Sequence, residues 1–548
     1  MKVKPVSSKV LRIVLLFAVS SLALNLNALM SITFAQPLDS FSYEFTVDED
    51  GFTIVNITYH TDRDSGSSWI LVPKFSEWIQ SAVRGEITEW NLRDTEELID
   101  EPHYFYEAFC FSYRSDGSEF QVNVNFNLSI AAMVIEPEGI FYSPQIGFEK
   151  GRLKAEVTFP EGFSVKRGEA LALGSRGSYR PSSVGPDSDS VLFDNIPETE
   201  NMMRIQVGFR TVNETAESVT LENGIFAFET VLRYEEYARR IMALFNETYG
   251  DLVDLFNVTL DSAEARFFLP DFNSLFEVGG YVPFVAERMG DIHINFVFTR
   301  YVEGYVEVIA LHELVHHFLW KAGISPQTLL WFHEGMTQYV SIEITSRLGY
   351  EGSGMMKQEL ERNVLGLKSV VGKDFGFLKG WSPSRQPADM GSYYVASYYV
   401  VSQIAEPRGG LEYYARFFKT INGETVDGNA AIGYFLSVAA EESVVTALNS
   451  WGFGIPDLYI FSPSLRSVEE VLGKVDPVCQ PYKFLAELLY RQAFLNAREE
   501  NATKMQLYLA AAVLVAKLAP VLTLITVSGV LFGAILLALR EKGVFSSY

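Results

Sequence analysis

The sequence predicts a multidomain α+β chain. A β-rich N-terminal domain comes first, then a mixed unit whose second half is mostly helical, then one transmembrane helix. Three observations predict it. Alternating, β-branched runs crowd the first 219 positions. Helix-forming apolar residues surround Leu311–Phe318 and recur after Tyr393. A 22-residue segment, Leu518 to Leu539, carries no charge. The chain has 548 residues, 48% of them hydrophobic, enough for two to four domains with large cores.

Residues 1–35 read as an export signal. Lys2, Lys4, Lys9 and Arg12 form a basic start, and Ile13 to Ala28 is mostly apolar. Thr33-Phe34-Ala35 offers a small-residue cleavage site before Gln36-Pro37. The apolar stretch, interrupted by Asn25 and Asn27, also suits an uncleaved signal anchor. Residues 36–219 form the β-rich domain. Phe52–Tyr59 and Phe120–Phe126 alternate, and Leu153–Phe159 runs into a turn at Pro160-Glu161-Gly162. Gly174 to Asp189, rich in Gly, Ser and Pro, reads as a loop.

Residues 220–460 form the next unit. Val231–Tyr249 has the period of an amphipathic helix, and Ala265–Pro270 and Asp291–Phe298 read as strands. Residues 461–506 read as a mixed, partly helical stalk. Residues 507–540 contain the charge-free run, which is long enough to span a bilayer. Lys517 stands at one end, Arg540 and Lys542 at the other. The positive-inside tendency puts the tail, residues 541–548, in the cytoplasm and the body of the chain outside the cell. That agrees with the export signal.

Net charge is −24, which argues against nucleic acid as a partner because a phosphate binder needs a basic surface. Only two cysteines occur, Cys110 and Cys479, too few and too distant for a zinc site. One disulfide or two free thiols both fit them. Six N-x-S/T sequons begin at Asn56, Asn127, Asn213, Asn246, Asn257 and Asn501, all between the two membrane signals. They are compatible with a surface glycoprotein.

Leu311-His312-Glu313-Leu314-Val315-His316-His317-Phe318 contains H-E-x-x-H. On a helix, His312 and His316 project from one face, one turn apart, and can grip one metal ion. Glu313 is close enough to touch a water on that metal. This is the arrangement of zinc-dependent peptidases. A hydrolytic zinc site needs three protein ligands and one open position. Glu334, in Trp331-Phe332-His333-Glu334-Gly335, follows His316 after 17 intervening residues and supplies the third. Gly323 is a good stop for the first helix, and Ser325-Pro326 a good start for the second.

These residues resemble a gluzincin zinc metallopeptidase of the aminopeptidase N-like branch, whose third ligand sits in W-x-x-E-G. Trp331, Glu334, Gly335 and Tyr339 match that pattern. The resemblance implies a thermolysin-like zinc peptidase catalytic domain behind a β-rich one. It implies one Zn2+ per chain on His312, His316 and Glu334, with Glu313 as general base. It also implies a Tyr that hydrogen-bonds the oxyanion, at the start of a helix written Y-x-x-G/A/S. In Gly391-Ser392-Tyr393-Tyr394-Val395-Ala396 the register favours Tyr393, with Tyr394 as the alternative.

The chain departs from the family at several points. The usual spacer to the third ligand is slightly longer. The Asn before the Glu is His333 here, read as a packed helix residue with a metal or substrate contact as the alternative. His317 lies one residue past the ligand face and reads as structural. Gly279-Gly280-Tyr281, on an edge that can pair with extended substrate, lacks the G-x-M-E-N signature of many aminopeptidases. That favours an endopeptidase or an unusual aminopeptidase. Trp451-Gly452-Phe453-Gly454-Ile455-Pro456 resembles the ending of related catalytic domains.

The expected partners are a peptide or protein substrate and membrane lipid around the C-terminal helix. A non-catalytic surface or adhesion protein on a peptidase fold is the competing class. Glu313 separates the two, since a chain free of catalysis tends to lose a ligand or the base. A zinc hydrolase acting on a non-peptide bond is a third reading, with no sequence feature behind it.

Overall fold

The computed structural model describes residues 39–541, apart from residues 100–102, 104, 118, 186, 276–277, 286–287, 301–302, 386 and 499–500. The expected export signal, residues 1–35, lies outside the described residues, as do residues 542–548 of the expected tail. The chain is α+β and forms two compact units that divide between Ala216 and Glu217.

The first unit is built of β-sheet. Ser40–Val47, Thr53–Thr61, Phe120–Leu128 and Arg152–Thr158 belong to a seven-stranded sheet, with Ser40–Val47 between an antiparallel and a parallel neighbour. Each of these strands alternates buried and less buried residues, as a half-buried sheet requires. A second sheet carries Glu138–Tyr142, Ser164–Gly174 and Met202–Arg210. An aromatic core joins the two: Phe45 meets Phe141 edge-on at 5.5 Å, and Phe159 lies 4.8 Å from Phe209. The Gly174–Asp189 region is not all loop. It holds the short strands Ser178–Tyr179 and Ser183–Val184. A single-turn helix, α1 (Glu96–Ile99), completes the unit. Cys110 and Cys479 are both free thiols.

The second unit opens with a sheet ordered Ser218–Asn223, Phe226–Val231, Ala263–Phe268, Ile292–Asn295, Gly280–Tyr281. Its three central strands are parallel, and Gly280–Tyr281 is an antiparallel edge. The first helix here, α2, is Glu235–Phe256 rather than Val231–Tyr249. Val231 pairs with Ser218, so it closes a strand. Beyond Tyr249 the buried stripe continues through Leu252, Leu255 and Phe256, and the helix ends only where Asn257 turns left-handed. The Asp291–Phe298 run is shorter than expected as a strand. The Asn295 side chain accepts from Val297 N and donates to Leu275 O and Val278 O, turning the chain into a 3-10 helix.

Among the described residues ten further α-helices follow: α3 (Tyr305–Lys321), α4 (Pro326–Arg347), α5 (Glu351–Val371), α6 (Met390–Ala405), α7 (Leu411–Ile421), α8 (Asn429–Ala440), α9 (Val445–Ser450), α10 (Ser462–Gly473), α11 (Tyr482–Arg498) and α12 (Ala502–Glu541). The expected stalk is two helices, α10 and α11, packed on the first half of α12 through Leu465, Ala486, Ala493, Leu509 and Ala512. Within α12, Thr503–Ala538 is long and apolar enough to cross a membrane.

The start of α3 depends on Glu307. This buried carboxylate accepts from Gly304 N at 2.8 Å and from Arg240 Nη2 at 2.6 Å. It satisfies a free helix N–H and places a negative charge at the positive helix end. Glu307→Ala removes both bonds. Arg240 is half-exposed and rehydrates, so the expected loss is about 2 kcal/mol in urea unfolding. A loss under about 0.5 kcal/mol contradicts this role for Glu307.

Candidate metal centre and its cleft

Helix α3 carries the buried Glu313 and His316 and the partly buried His312. It stops because Gly323 takes φ +90, where a Cβ would sit 2.4 Å from Glu424 O. Ser325 then caps α4 by accepting from Gln327 N, with Pro326 in the first turn. Only Ala322–Ser325 link the helices, so α4 folds straight back against α3. Two contacts fix its depth. Trp331 is buried and its Nε1 donates to Asn429 Oδ1 at 2.7 Å. Gly335 lies against α6, where a Cβ would be 2.5 Å from Ser397 O and 2.7 Å from Val401 Cγ2.

The result brings Glu334 to both imidazoles. Its Oε2 is 3.3 Å from His312 Nε2 and 3.7 Å from His316 Nε2. Tetrahedral zinc with bonds near 2.0–2.1 Å holds its ligand atoms roughly 3.3 Å apart. The donor set and spacing therefore fit one zinc ion. Glu313 is also near, with Oε2 3.9 Å from His316 Nε2. His312, Glu313 and His316 have donor atoms within 4.8 Å of one another. Of the two carboxylates, Glu334 has one oxygen close to both rings and is the better third donor.

Two of the three donors hold charge states that suit a cation, and His312 has a proton to give up to it. Burial disfavours the Glu334 carboxylate, but His316 and His312 outweigh it and hold its pKa below the ordinary value. Burial drives His316 well below its usual range, against the pull of Glu334. His312 is raised: burial opposes its charge, yet the hydrogen bond to Glu334 and the nearby carboxylate charges prevail. Burial raises Glu313 to about 8, opposed by His312 and helped by the Glu334 charge. An ionised Glu334 and a neutral His316 are the forms a metal takes up without displacing protons.

Three neighbours of the centre were not legible as such. His333 is fully buried, and its Nδ1 lies 2.7 Å from His316 Nδ1 with the rings stacked. Burial pushes His333 down to about 3, so it is neutral. When His316 donates from Nδ1, its Nε2 lone pair is free to face Glu334 and a metal. The His333 proton then sits on Nε2, which is buried and makes no hydrogen bond. Thr337 Oγ1 is 3.1 Å from His312 Nε2 and also bonds Glu334 O at 2.8 Å. Gln338 supports the protonated form of His312 and lines the cavity. The signal for Thr337 and Gln338 was their spacing of three and four residues after Glu334 on one helix.

Consecutive helix residues diverge by about 100°, so only one of the paired tyrosines faces the centre. Tyr394 lines the cavity, and the charge of Glu334, then burial and Glu313, raise its pKa well above the ordinary value. Tyr393 packs on Phe377 at 4.8 Å, and Trp381 meets both rings, Tyr393 at 5.4 Å and Tyr394 at 5.3 Å. His317 is turned away from the cavity and mostly buried, with burial pushing it down to about 4.

The cavity measures about 890 Å³, and Val282, Phe284, Phe298, Ile309, Leu330 and Met356 give it apolar walls. Among the described residues, its only acidic lining side chains are Glu313 and Glu334. The edge strand passes close over Glu313: a Cβ on Gly280 would lie 2.8 Å from Glu313 Cγ and 2.9 Å from His293 O.

No family model matches the sequence, and no curated protein matches it. Among solved structures the chain is similar to the crystal structure of Legionella pneumophila aminopeptidase A in complex with aspartic acid, at 12% identity and a TM-score of 0.28. The match covers 76% of this chain and 49% of that one, so this chain spans about half the length of that structure.

Gly335→Ala tests the close approach that seats Glu334. The added Cβ meets backbone oxygen, which cannot rotate away, so unfolding free energy is expected to fall by about 1–3 kcal/mol. Unchanged urea stability would show that α4 and α6 separate without cost.

Proposed function

We propose that this chain is a zinc-dependent endopeptidase anchored in a membrane by one helix. The observation that carries the reading is the meeting of His312 Nε2 and His316 Nε2 on one oxygen of Glu334, at 3.3 and 3.7 Å, beside Glu313 and an open cavity. His312, His316 and Glu334 would hold the metal. Zinc bound there would supply Lewis acidity and make hydroxide available near neutral pH. Glu313 accepts the proton of the attacking water and passes it to the leaving amine nitrogen. Tyr394 donates its hydroxyl hydrogen to the carbonyl oxygen as negative charge develops there. His333 accepts from His316 Nδ1 and keeps the other ring nitrogen aimed at the metal.

The cleft supports internal cleavage over removal of a first residue. A free N-terminal ammonium buried there needs a carboxylate partner. Glu313 and Glu334 are both engaged in the chemistry, and among the described residues no further carboxylate lines the cleft, whose other walls are mostly apolar and aromatic. An extended segment with apolar side chains on either side of the cut suits these walls. The expected export signal and the charge-free run in α12 support a site outside the cell.

The test is cleavage of a peptide mixture by the full-length protein, read by mass spectrometry. Zinc-loaded wild type is expected to cut inside apolar segments. Glu313→Gln should keep its zinc and lose turnover by about a hundred- to ten-thousandfold. Identical fragment patterns from the two proteins would remove the peptidase reading.

Metal content checks the ligands. His312→Ala, His316→Ala and Glu334→Ala should each lose zinc after dialysis, while His333→Ala should weaken binding by about 10–100-fold. Full zinc retention in Glu334→Ala would exclude it as the third ligand.

The tyrosines separate by rate. Tyr394→Phe should lower kcat by about a hundred- to a thousandfold, the cost of one oxyanion donor, and Tyr393→Phe by less than about tenfold. The reverse order would return the role to Tyr393.

A further inference from the structure

The hydroxyl of Tyr482, at the first residue of α11, lies 2.7 Å from Thr526 Oγ1. Thr526 also donates to Leu522 O at 2.8 Å within its own helix, so the two hydroxyls form a closed chain of hydrogen bonds. Thr526 is eight residues inside the charge-free run that begins at Leu518. At 1.5 Å per residue this is about 12 Å along the helix, against an apolar bilayer thickness of about 30 Å. A chain that spans the bilayer with Leu518–Leu539 therefore carries the start of α11 down with it.

The residues around that point are apolar and uncovered. Val478 is 78% exposed, Phe484 61%, Leu485 43% and Leu488 44%. Phe484 and Leu488 share one face of α11. Ala486 and Ala493, on the opposite face, are fully buried in the cluster that includes α12. A helix with apolar residues both toward its neighbour and on part of its free face suits lipid. Satisfied hydroxyls are what a dry, apolar setting demands. Lys483, Glu487 and Arg491, spaced by four, form a charged stripe beside this face; the long Lys and Arg stems let their charged ends reach headgroups, with Glu487 one turn from each.

We infer that Val478 and the first two turns of α11 form a second membrane-contacting element, immersed among lipid acyl chains beside α12. This rests on the reading of α12 as a membrane span. The element does more than add contact area. Phe494 of α11 packs on Tyr434 at 5.5 Å and on Phe435 of α8, so the catalytic unit is braced at two points on the bilayer.

The experiment is photo-labelling of the full-length protein in phosphatidylcholine vesicles carrying a diazirine on the acyl chain, with adducts mapped by mass spectrometry. Adducts in both 478–488 and 518–539 are expected. Adducts confined to 518–539 would overturn the proposal while leaving the span intact. Adducts in neither segment would overturn the span reading itself, and this inference with it.

Discussion

Two imidazoles on one helical turn offer a metal only two donors, and the third has to be held against them by a separate element. Here that constraint falls on the packing of α4 between α3 and α6. The short Ala322–Ser325 link turns the chain back, and the bare backbone of Gly335 lets α4 approach α6 to van der Waals distance of Ser397 O. Trp331, anchored on Asn429, stops α4 from rotating. Glu334 then has one position available, with a single oxygen between His312 and His316. Moving α4 outward by an ångström would lengthen the 3.3 and 3.7 Å separations beyond what one small cation can bridge.

The electrostatics of the cleft follow from that packing. Burial alone would leave both carboxylates protonated and both imidazoles neutral. Placing Glu334 between the rings lets it stay ionised, while Glu313, with less compensation, rises. Two carboxyl groups within one small space thus hold different protonation states, one suited to bind a cation and the other to exchange a proton. The His316–His333 contact adds a tautomer constraint that neither helix carries alone. Connections also run outward, from Trp331 to Asn429 on α8, and from α8 to Phe494 on α11, which lies along the long apolar helix.

The parts of this arrangement that are local in sequence were legible in sequence. His312, Glu313 and His316 are fixed relative to one another by helical geometry, and Gly323 and Ser325-Pro326 mark the helix ends by their own backbone chemistry. Glu334 was legible because a short link leaves few places for the next carboxylate. The choice between Tyr393 and Tyr394 was not, since Trp381 touches both rings and only the packing of Tyr393 on Phe377 separates them. His333 looked like a packed residue, and only the crossing of α3 and α4 brings its Nδ1 to His316. Val231 misled because the last residue of a strand and the first of an amphipathic helix share the same apolar character. The segment read as a stalk was obscured differently: Ala486 and Ala493 signal a buried face only once α12 is known to lie beside them.

The most direct test of the central claim is X-ray absorption at the zinc edge of the metal-loaded protein, wild type beside Glu334→Ala. The wild-type spectrum is predicted to show two imidazole nitrogens and oxygen at about 2.0–2.1 Å with no sulfur, and the variant to lose an oxygen scatterer or the metal altogether. Sulfur in the shell, an all-oxygen octahedral shell, or identical spectra from the two proteins would contradict a His312–His316–Glu334 centre.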